Sequence, residues 1–264
     1  MKWRDKVVVV TGAGGGIGRA LVLDLLGRGA HVAALDLSKE GLLATEALAH
    51  AGPRLSSHPL DVTDRDAVHA LPDDVLAAHG QVDAIINNAG IIQPFTSFAE
   101  LDYATIDRVV QVNLYGVIHV TKAFLPHLLT RPEAHIVNVS SMGGFMPFPG
   151  QTMYGAAKAG VKLLTEGLYA ELLSTTVGVS LAMPGAVATD IIKNSGAGTR
   201  GVDDTEDAPL DPLPPEEAAR IILDGAEANK LHILVGKDAR LLDLLSRIAP
   251  ESTTRMVAKR LKER

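Results

Sequence analysis

The sequence contains no cysteine, few aromatic residues and no excess of basic charge. Without cysteine the chain can form no disulfide, no thiolate nucleophile and no cysteine metal site. The formal net charge of −6 gives no electrostatic pattern for binding nucleic acid. The nine histidines are scattered without metal-ligand spacing, so we expect no metal site. Since no run of about 18 apolar residues occurs, we also expect no membrane span and a soluble, cytoplasmic protein.

What the chain does contain is an alternation of short β-branched runs with longer amphipathic stretches. Runs that are apolar on both faces and separated by helices predict a parallel sheet covered on both sides. The predicted strands are 7–10, 31–36, 55–60, 82–87, 134–140, 177–183 and 232–235. The predicted helices are 17–29, 40–51, 64–79, 107–129, 154–173 and 215–228. We therefore expect a single α/β domain over residues 1–264.

Two segments depart from this alternation. Residues 194–215 combine glycines, five acidic residues and four prolines, a composition that predicts a flexible lid. From about residue 238 the tail has leucines at helical spacing and ends in basic residues. The basic end is typical of a solvated helix face, with a membrane surface or an acidic partner as the alternative.

A glycine-rich loop, Thr11–Gly18, joins the first predicted strand to the first helix. Gly12 permits a tight turn, Gly16 removes a Cβ near the bound phosphates, and Gly18 allows close packing. A helix N-terminus at this point attracts anions, which predicts a dinucleotide pyrophosphate site. The alternative is a simple glycine turn. A nucleoside triphosphate P-loop is excluded, because Arg19 follows Gly18 and no Gly-Lys-Ser/Thr occurs.

Asp36 ends the second predicted strand, where a carboxylate can bind the adenosine ribose hydroxyls. The same charge would repel a 2′-phosphate, and Gly15 and Leu37 stand where an arginine could neutralise one. The pattern therefore favours NAD over NADP, with a solvated strand-end aspartate as the alternative.

Tyr154 and Lys158 lie one helical turn apart in a predicted helix. A free phenol has a pKa near ~10, and an adjacent ammonium is expected to lower that pKa by about 1–3 units. Ser141 follows a predicted strand at the edge where open α/β sheets bind ligands. Each feature alone is ordinary, since such a Tyr/Lys pair is common on helix surfaces and a serine is common in turns.

Taken together, the motifs resemble the short-chain dehydrogenase/reductase family from about Lys6 to Gly236. The motifs that carry the resemblance are Thr11–Gly18, Asp61-Val62, Asn87–Gly90, Asn113, Ser141, Tyr154–Lys158 and Pro184-Gly185. The resemblance implies a single doubly wound Rossmann domain, with seven parallel strands and helices on both faces.

The resemblance also implies roles for individual residues. Tyr154 would be the general acid/base, and Lys158 would lower its pKa and bind the nicotinamide ribose. Ser141 would hold the substrate oxygen, and Asn113 would support a water relay from Lys158. The positions expected to bind the cofactor, besides Tyr154 and Lys158, are Gly12, Gly16, Ile17, Gly18, Asp36, Asp61, Val62, Asn88, Ala89, Gly90, Pro184, Gly185, Val187 and Thr189.

The implied activity is hydride transfer between a nicotinamide dinucleotide and an alcohol or carbonyl. Apolar residues flank the motifs and favour a bulky, uncharged secondary alcohol or ketone, although they could instead pack a subunit interface or the lid. These residues are Ile92, Phe95, Met142, Phe145, Met146, Phe148, Met153, Ile191 and Ile192. The alternatives are an NADP-dependent ketoreductase and a catalytically idle dinucleotide-sensing protein. We also expect a homodimer or homotetramer, paired through the helices that begin near Asp107 and Tyr154.

Overall fold

The computed structural model describes residues 1–197 and 212–262, with the side chains of residues 261 and 262 left out of the description. Most of the expected lid, residues 198–211, lies outside this part of the chain. A short helix, Ile191–Asn194, leads into the expected lid, and Leu213 near the end of this segment pairs with Val187 in an isolated parallel bridge.

One parallel sheet of seven strands organises the described residues, in the order β3-β2-β1-β4-β5-β6-β7. The strands are β1 Val7–Thr11, β2 His31–Asp36, β3 Leu55–Pro59, β4 Ala84–Asn87, β5 Ala134–Val139, β6 Val177–Pro184 and β7 His232–Val235. This confirms the predicted doubly wound parallel sheet. The chain reverses its direction of winding between β1 and β4, so the loops after these neighbouring strands diverge and leave a crevice.

The helices are α1 Gly16–Gly27, α2 Lys39–Ala49, α3 Arg65–His79, α4 Tyr103–Val110, α5 Gly116–Leu128, α6 Thr152–Leu172, α7 Ile191–Asn194, α8 Pro215–Glu227, α9 Lys237–Ile248 and α10 Pro250–Lys262. A π-helical turn, Gln111–Tyr115, joins α4 to α5. The helix predicted over 107–129 therefore begins four residues earlier, because the Asp102 carboxylate caps α4 by accepting a hydrogen bond from the Thr105 N–H at 2.8 Å.

Helices cover both faces of the sheet because alternate residues of β1 point to opposite sides. Val8 and Val10 pack in one apolar cluster with residues of α1 and α8. Val7 and Val9 pack in the other cluster with residues of α3 and α5. The crevice at the carboxyl ends of the strands is thus supported from both sides by a rigid core.

Among the described elements, no helix is both long enough and apolar enough to cross a bilayer. Within residues 1–197 and 212–262, there is also no cluster of three or more histidine or acidic side chains suited to a metal ion.

Candidate active site

The glycine loop turns sharply between β1 and α1. Gly12 has φ +68° and Gly16 has φ +50°, values in the left-handed region that favours glycine. A Cβ on Gly18 would lie 1.8 Å from the Gly12 carbonyl oxygen, so position 18 admits no side chain. The three positions that the sequence singled out are thus the ones where the backbone requires glycine.

The N-terminus of α1 carries no neutralising group of its own. Its N-cap residue, Gly15, provides no side-chain cap, and the first turn holds no acidic residue. Unpartnered N–H groups and the positive end of the helix dipole suit an anionic pyrophosphate. A Cβ on Gly16 would lie 3.2 Å from the Thr189 methyl carbon, so the loop after β6 closes the far side of this anion site. We call the site formed by the glycine loop and the N-terminus of α1 the glycine cradle. These residues fit a dinucleotide.

The loop after β4 is fastened to the glycine loop by hydrogen bonds. The Thr11 hydroxyl oxygen accepts from the Asn88 and Ala89 N–H groups, at 3.0 Å each. The Asn88 side-chain amide donates to the Thr11 carbonyl at 3.0 Å and to the Gly12 carbonyl at 3.4 Å. Asn88 therefore supports the cradle through the backbone of the loop.

Asp36 lies beside the same loop at the end of β2. Its carboxylate accepts from the Gly14 N–H and from the Ser38 N–H, at 2.8 Å each. Sequence inspection found no basic residue at this corner, but the structure brings one there. The Arg19 guanidinium, one helical turn into α1, donates to the carbonyls of Gly14 and Gly41.

Asp61 and Val62, two of the positions expected to bind the cofactor, follow β3 on the same side. The Asp61 carboxylate is exposed and accepts from the N–H and hydroxyl of Thr63, at 2.8 Å each. Val62 is buried, and a Cβ on Gly116 would lie 2.8 Å from its side chain. Val62 thereby packs the start of α5 against the edge of the crevice.

Lys158 and Asn113 converge over Gly90. A Cβ on Gly90 would lie 2.7 Å from Asn113 Oδ1 and 3.2 Å from Lys158 Nζ. Asn113 is fully buried in the π-helical turn, where its amide accepts from the Ile91 N–H at 3.0 Å and donates to the Ile91 carbonyl at 2.8 Å. Such turns interrupt helices mainly at functional sites.

Ser141 and Tyr154 lie close together at the carboxyl end of β5. Gly143 lies between them, because a Cβ there would be 3.3 Å from the Tyr154 ring and 3.4 Å from Ser141 Oγ. The Lys158 ammonium is 6.0 Å from the centre of the Tyr154 ring. The structure thus brings together all four side chains that the sequence assigned to catalysis.

The expected lowering of the Tyr154 pKa is not found. Burial raises the pKa of Tyr154, and only the hydrogen bond with Ser141 acts in the opposite direction. Lys158 does not offset this effect, because its ammonium is itself buried and donates to the Val139 carbonyl at 3.0 Å. At neutral pH the phenol is therefore protonated.

Burial lowers the pKa of Lys158 to about 8 from the ordinary value of 10.5. The buried ammonium therefore opposes folding below pH 8, and this penalty declines as pH rises toward 10.5, where the unfolded chain also loses the proton. We expect Lys158→Met to raise the free energy of unfolding at pH 7 by about 1–3 kcal/mol, after allowance for the lost hydrogen bond. Denaturant unfolding at pH 7 and at higher pH measures the gain.

The matched control is Lys162→Met, because the Lys162 ammonium is partly exposed and pairs with Glu166 at 2.8 Å on the same helix. This variant should show no such pH-dependent gain. A wild-type protein more stable than the Lys158 variant at pH 7 would contradict the assigned direction.

The loop after β6 contains the remaining expected positions. The Asp238 carboxylate on α9 accepts from the Ala186 N–H at 2.7 Å, and a Cβ on Gly185 would lie 2.2 Å from it. Pro184 is buried, whereas Val187 and Thr189 are half-buried. The tail helix α9 therefore fixes the loop that faces the glycine cradle.

Some functional neighbours escaped sequence analysis, namely Gln93, Ser195 and Asp238. All three act through contacts between residues more than 50 positions apart. A glutamine between Ile92 and Pro94 in an apolar stretch was the one available signal for Gln93.

The apolar residues expected around the site divide into two groups. Met146 and Ile92 are buried at 1% and 9% exposure, so they pack the interior. Those that stay half-buried or exposed are Phe95, Met142, Phe145, Phe148, Met153, Ile191 and Ile192.

Comparison with known proteins gives consistent results. The family model described as short chain dehydrogenase matches residues 6–200. SadH of Mycobacterium tuberculosis, which is named as an oxidoreductase, is 39% identical and covers 97% of this chain and 95% of its own length. A short-chain dehydrogenase/reductase from Burkholderia phymatum, solved with NAD, is 28% identical with a TM-score of 0.82, over 94% of this chain and 96% of its own. A short-chain dehydrogenase from Burkholderia cenocepacia, solved with NADP, is 26% identical with a TM-score of 0.81. The match covers 97% of this chain and 99% of that protein.

Proposed function

The chain belongs to the short-chain dehydrogenase/reductase family, and from this premise we propose that it interconverts an apolar secondary alcohol and its ketone with NAD. The family places it among oxidoreductases that act on CH–OH or C=O groups with NAD(P). In this proposal Tyr154 is the acid/base, and Ser141, Lys158 and Asn113 assist it.

The observation that carries the proposal is the meeting of four polar side chains beside an uncapped helix N-terminus. The side chains of Ser141 and Tyr154 both lie against Gly143, and Lys158 and Asn113 approach each other over Gly90. A structural role alone does not require a buried ammonium, whose burial opposes folding.

The proposed chemistry needs one proton for each hydride. When bound, the nicotinamide supplies or accepts the hydride at the carbonyl carbon. In the direction of reduction, Tyr154 Oη donates its proton to the substrate oxygen and becomes a phenolate, while Ser141 donates a hydrogen bond to that oxygen. Burial favours the protonated phenol, which suits this direction. Lys158, whose ammonium lies 6.0 Å from the centre of the Tyr154 ring, binds the nicotinamide ribose in this proposal.

We further propose that NAD is preferred over NADP because of Asp36. Its carboxylate is held beside the glycine loop by two backbone N–H groups, where it would repel a 2′-phosphate. Arg19 also donates to Thr45 Oγ1 at 3.1 Å, so its guanidinium is occupied within the protein.

We expect Asp36→Ala to weaken NADH binding and to shift the NADH/NADPH affinity ratio about 10-fold toward NADPH. Fluorescence titration of the two reduced dinucleotides measures this ratio. Glu40→Gln is the matched control, because it removes one acidic charge from the same corner and leaves Asp36 in place. An equal shift in both variants would attribute the preference to general charge rather than to Asp36.

The proposed substrate class rests on the half-buried apolar residues near Ser141 and Tyr154, such as Met142, Phe145 and Met153. Turnover of a panel of ketones and alcohols, followed by nicotinamide absorbance, tests the assignment. Turnover of only small polar sugars would exclude it.

Oligomerisation stays a prediction. The helices expected to pair expose large apolar side chains, with Tyr103 at 83% and Leu163 at 71% exposure. A homodimer or homotetramer that covers these residues would remove them from water.

A further inference from the structure

Three consecutive residues after the β4 loop are bonded to three separate parts of the site. Ile91 holds both polar groups of the Asn113 side chain. The Ile92 N–H donates to Ser195 Oγ at 3.0 Å, immediately after α7. Gln93 reaches the start of α6, the helix that carries Tyr154 and Lys158.

The Gln93 carboxamide is fully buried and bonded at both ends. Its oxygen accepts from the Met153 N–H at 2.8 Å and from the Tyr154 N–H at 3.0 Å. Its nitrogen donates to the Gly150 carbonyl at 2.9 Å. The Gln93 backbone carbonyl accepts from the Gln151 side chain at 2.8 Å.

These bonds replace an ordinary helix cap. The N-cap residue of α6, Gln151, makes no side-chain hydrogen bond to the first turn. The first N–H groups of a helix have no partner within the helix, and an uncapped first turn frays. Because Tyr154 lies in that first turn, the cap from Gln93 fixes the backbone from which its phenol projects.

We propose that Gln93 is a positioning residue for Tyr154, holding the first turn of α6 so that the phenol stays against Ser141. The inference deepens the proposed function and rests on it. Gln93 itself contacts the backbone of the helix and takes no part in proton transfer.

The test compares Gln93→Met, Gln93→Glu and Thr165→Val. Methionine keeps the length of the side chain and removes all three carboxamide bonds. Glutamate keeps an acceptor oxygen for the two N–H groups, and in its protonated form the second oxygen can donate to the Gly150 carbonyl in place of the amide nitrogen. Thr165 is a fully buried residue of the same helix. Its hydroxyl accepts from Asn138 Nδ2 at 2.9 Å and donates to the Val161 carbonyl at 2.6 Å, so its variant reports the loss of buried hydrogen bonds alone.

We expect Gln93→Met to lower kcat about 10-fold or more with NADH affinity nearly unchanged, because small misplacements of a catalytic group are costly. Gln93→Glu should recover most of kcat, and Thr165→Val should lose thermal stability without losing kcat. A Gln93→Met enzyme with wild-type kcat, or losses that follow thermal stability across the three variants, would overturn the proposal.

A spectroscopic titration separates this result from the fate of the proposed function. Tyrosinate absorbance, with the Tyr154→Phe signal subtracted, gives the pKa of Tyr154 without any turnover. We expect Gln93→Met to move that pKa down toward the ordinary phenol value, because burial is the main cause of its elevation. If the wild type reduces no substrate, the proposed function fails, and the titration still decides the role of Gln93. If neither Gln93 variant folds, Gln93 is a folding residue and the positioning role is rejected.

Discussion

We expect Tyr154→Phe to lower kcat/KM about 10²–10⁴-fold, the usual contribution of a positioned general acid or base. The substitution removes one hydroxyl and keeps the ring that packs beside Gly143. Since Ser141 Oγ is half-buried and keeps the hydrogen bond that it accepts from the Gly143 N–H at 3.0 Å, the cost to stability should be small. NADH binding should stay nearly unchanged, because the cradle lies in the glycine loop. Nicotinamide absorbance gives turnover, and fluorescence gives binding.

The matched control is Tyr169→Phe, the same chemical change farther along α6. The control should retain wild-type turnover. Comparable kcat/KM in the Tyr154 variant and in the wild type would reject Tyr154 as the acid/base and leave the cofactor assignment untouched.

The second large effect is expected at the glycine loop, where Gly18→Ala should weaken NADH binding about 100-fold. The added Cβ would lie 1.8 Å from the Gly12 carbonyl oxygen and 2.7 Å from Asn88 Nδ2. Neither neighbour can yield cheaply, because one is backbone and the other holds the β4 loop in place. The loop must therefore move away from α1, which removes the aligned N–H groups from the pyrophosphate position.

Gly27→Ala is the control for this substitution. Gly27 ends α1, and a Cβ there meets no atom within 4 Å among the described residues. Alanine should leave NADH binding unchanged and raise stability by up to about 1 kcal/mol, because glycine is the weaker helix former. A Gly18→Ala protein that binds NADH like the Gly27 variant would show that the loop does not hold the dinucleotide.

The sheet was predictable because parallel strands are apolar on both faces and end at clear turns. All seven predicted strands are present, with ends displaced by at most two residues. The helix predicted over 107–129 shows the limit of periodicity. Its π-helical turn changes the register at Asn113, and no local pattern distinguishes that turn from continuous α-helix.

The pairing of Tyr154 with Lys158 was predictable from their spacing, but the consequence of the pairing was not. Spacing gives proximity, whereas a pKa depends on how much water remains around each group. The fold buries Lys158 and half-buries Tyr154, and this loss of surrounding water acts against the charged form of each.

By itself, the sequence determined the order of strands and helices, the positions where the backbone requires glycine, and the residue types gathered at the carboxyl edge of the sheet. These features follow from local geometry, which depends on residues only a few positions apart. They can therefore be predicted from the order of the side chains. Only the tertiary structure decided that Gln93 caps the helix of Tyr154 and that Arg19 reaches the corner of Asp36. It also decided that the pKa of Tyr154 is raised by burial and not lowered. Each of these depends on contact between groups distant in sequence or on exclusion of water. Both conditions arise only once the chain has folded.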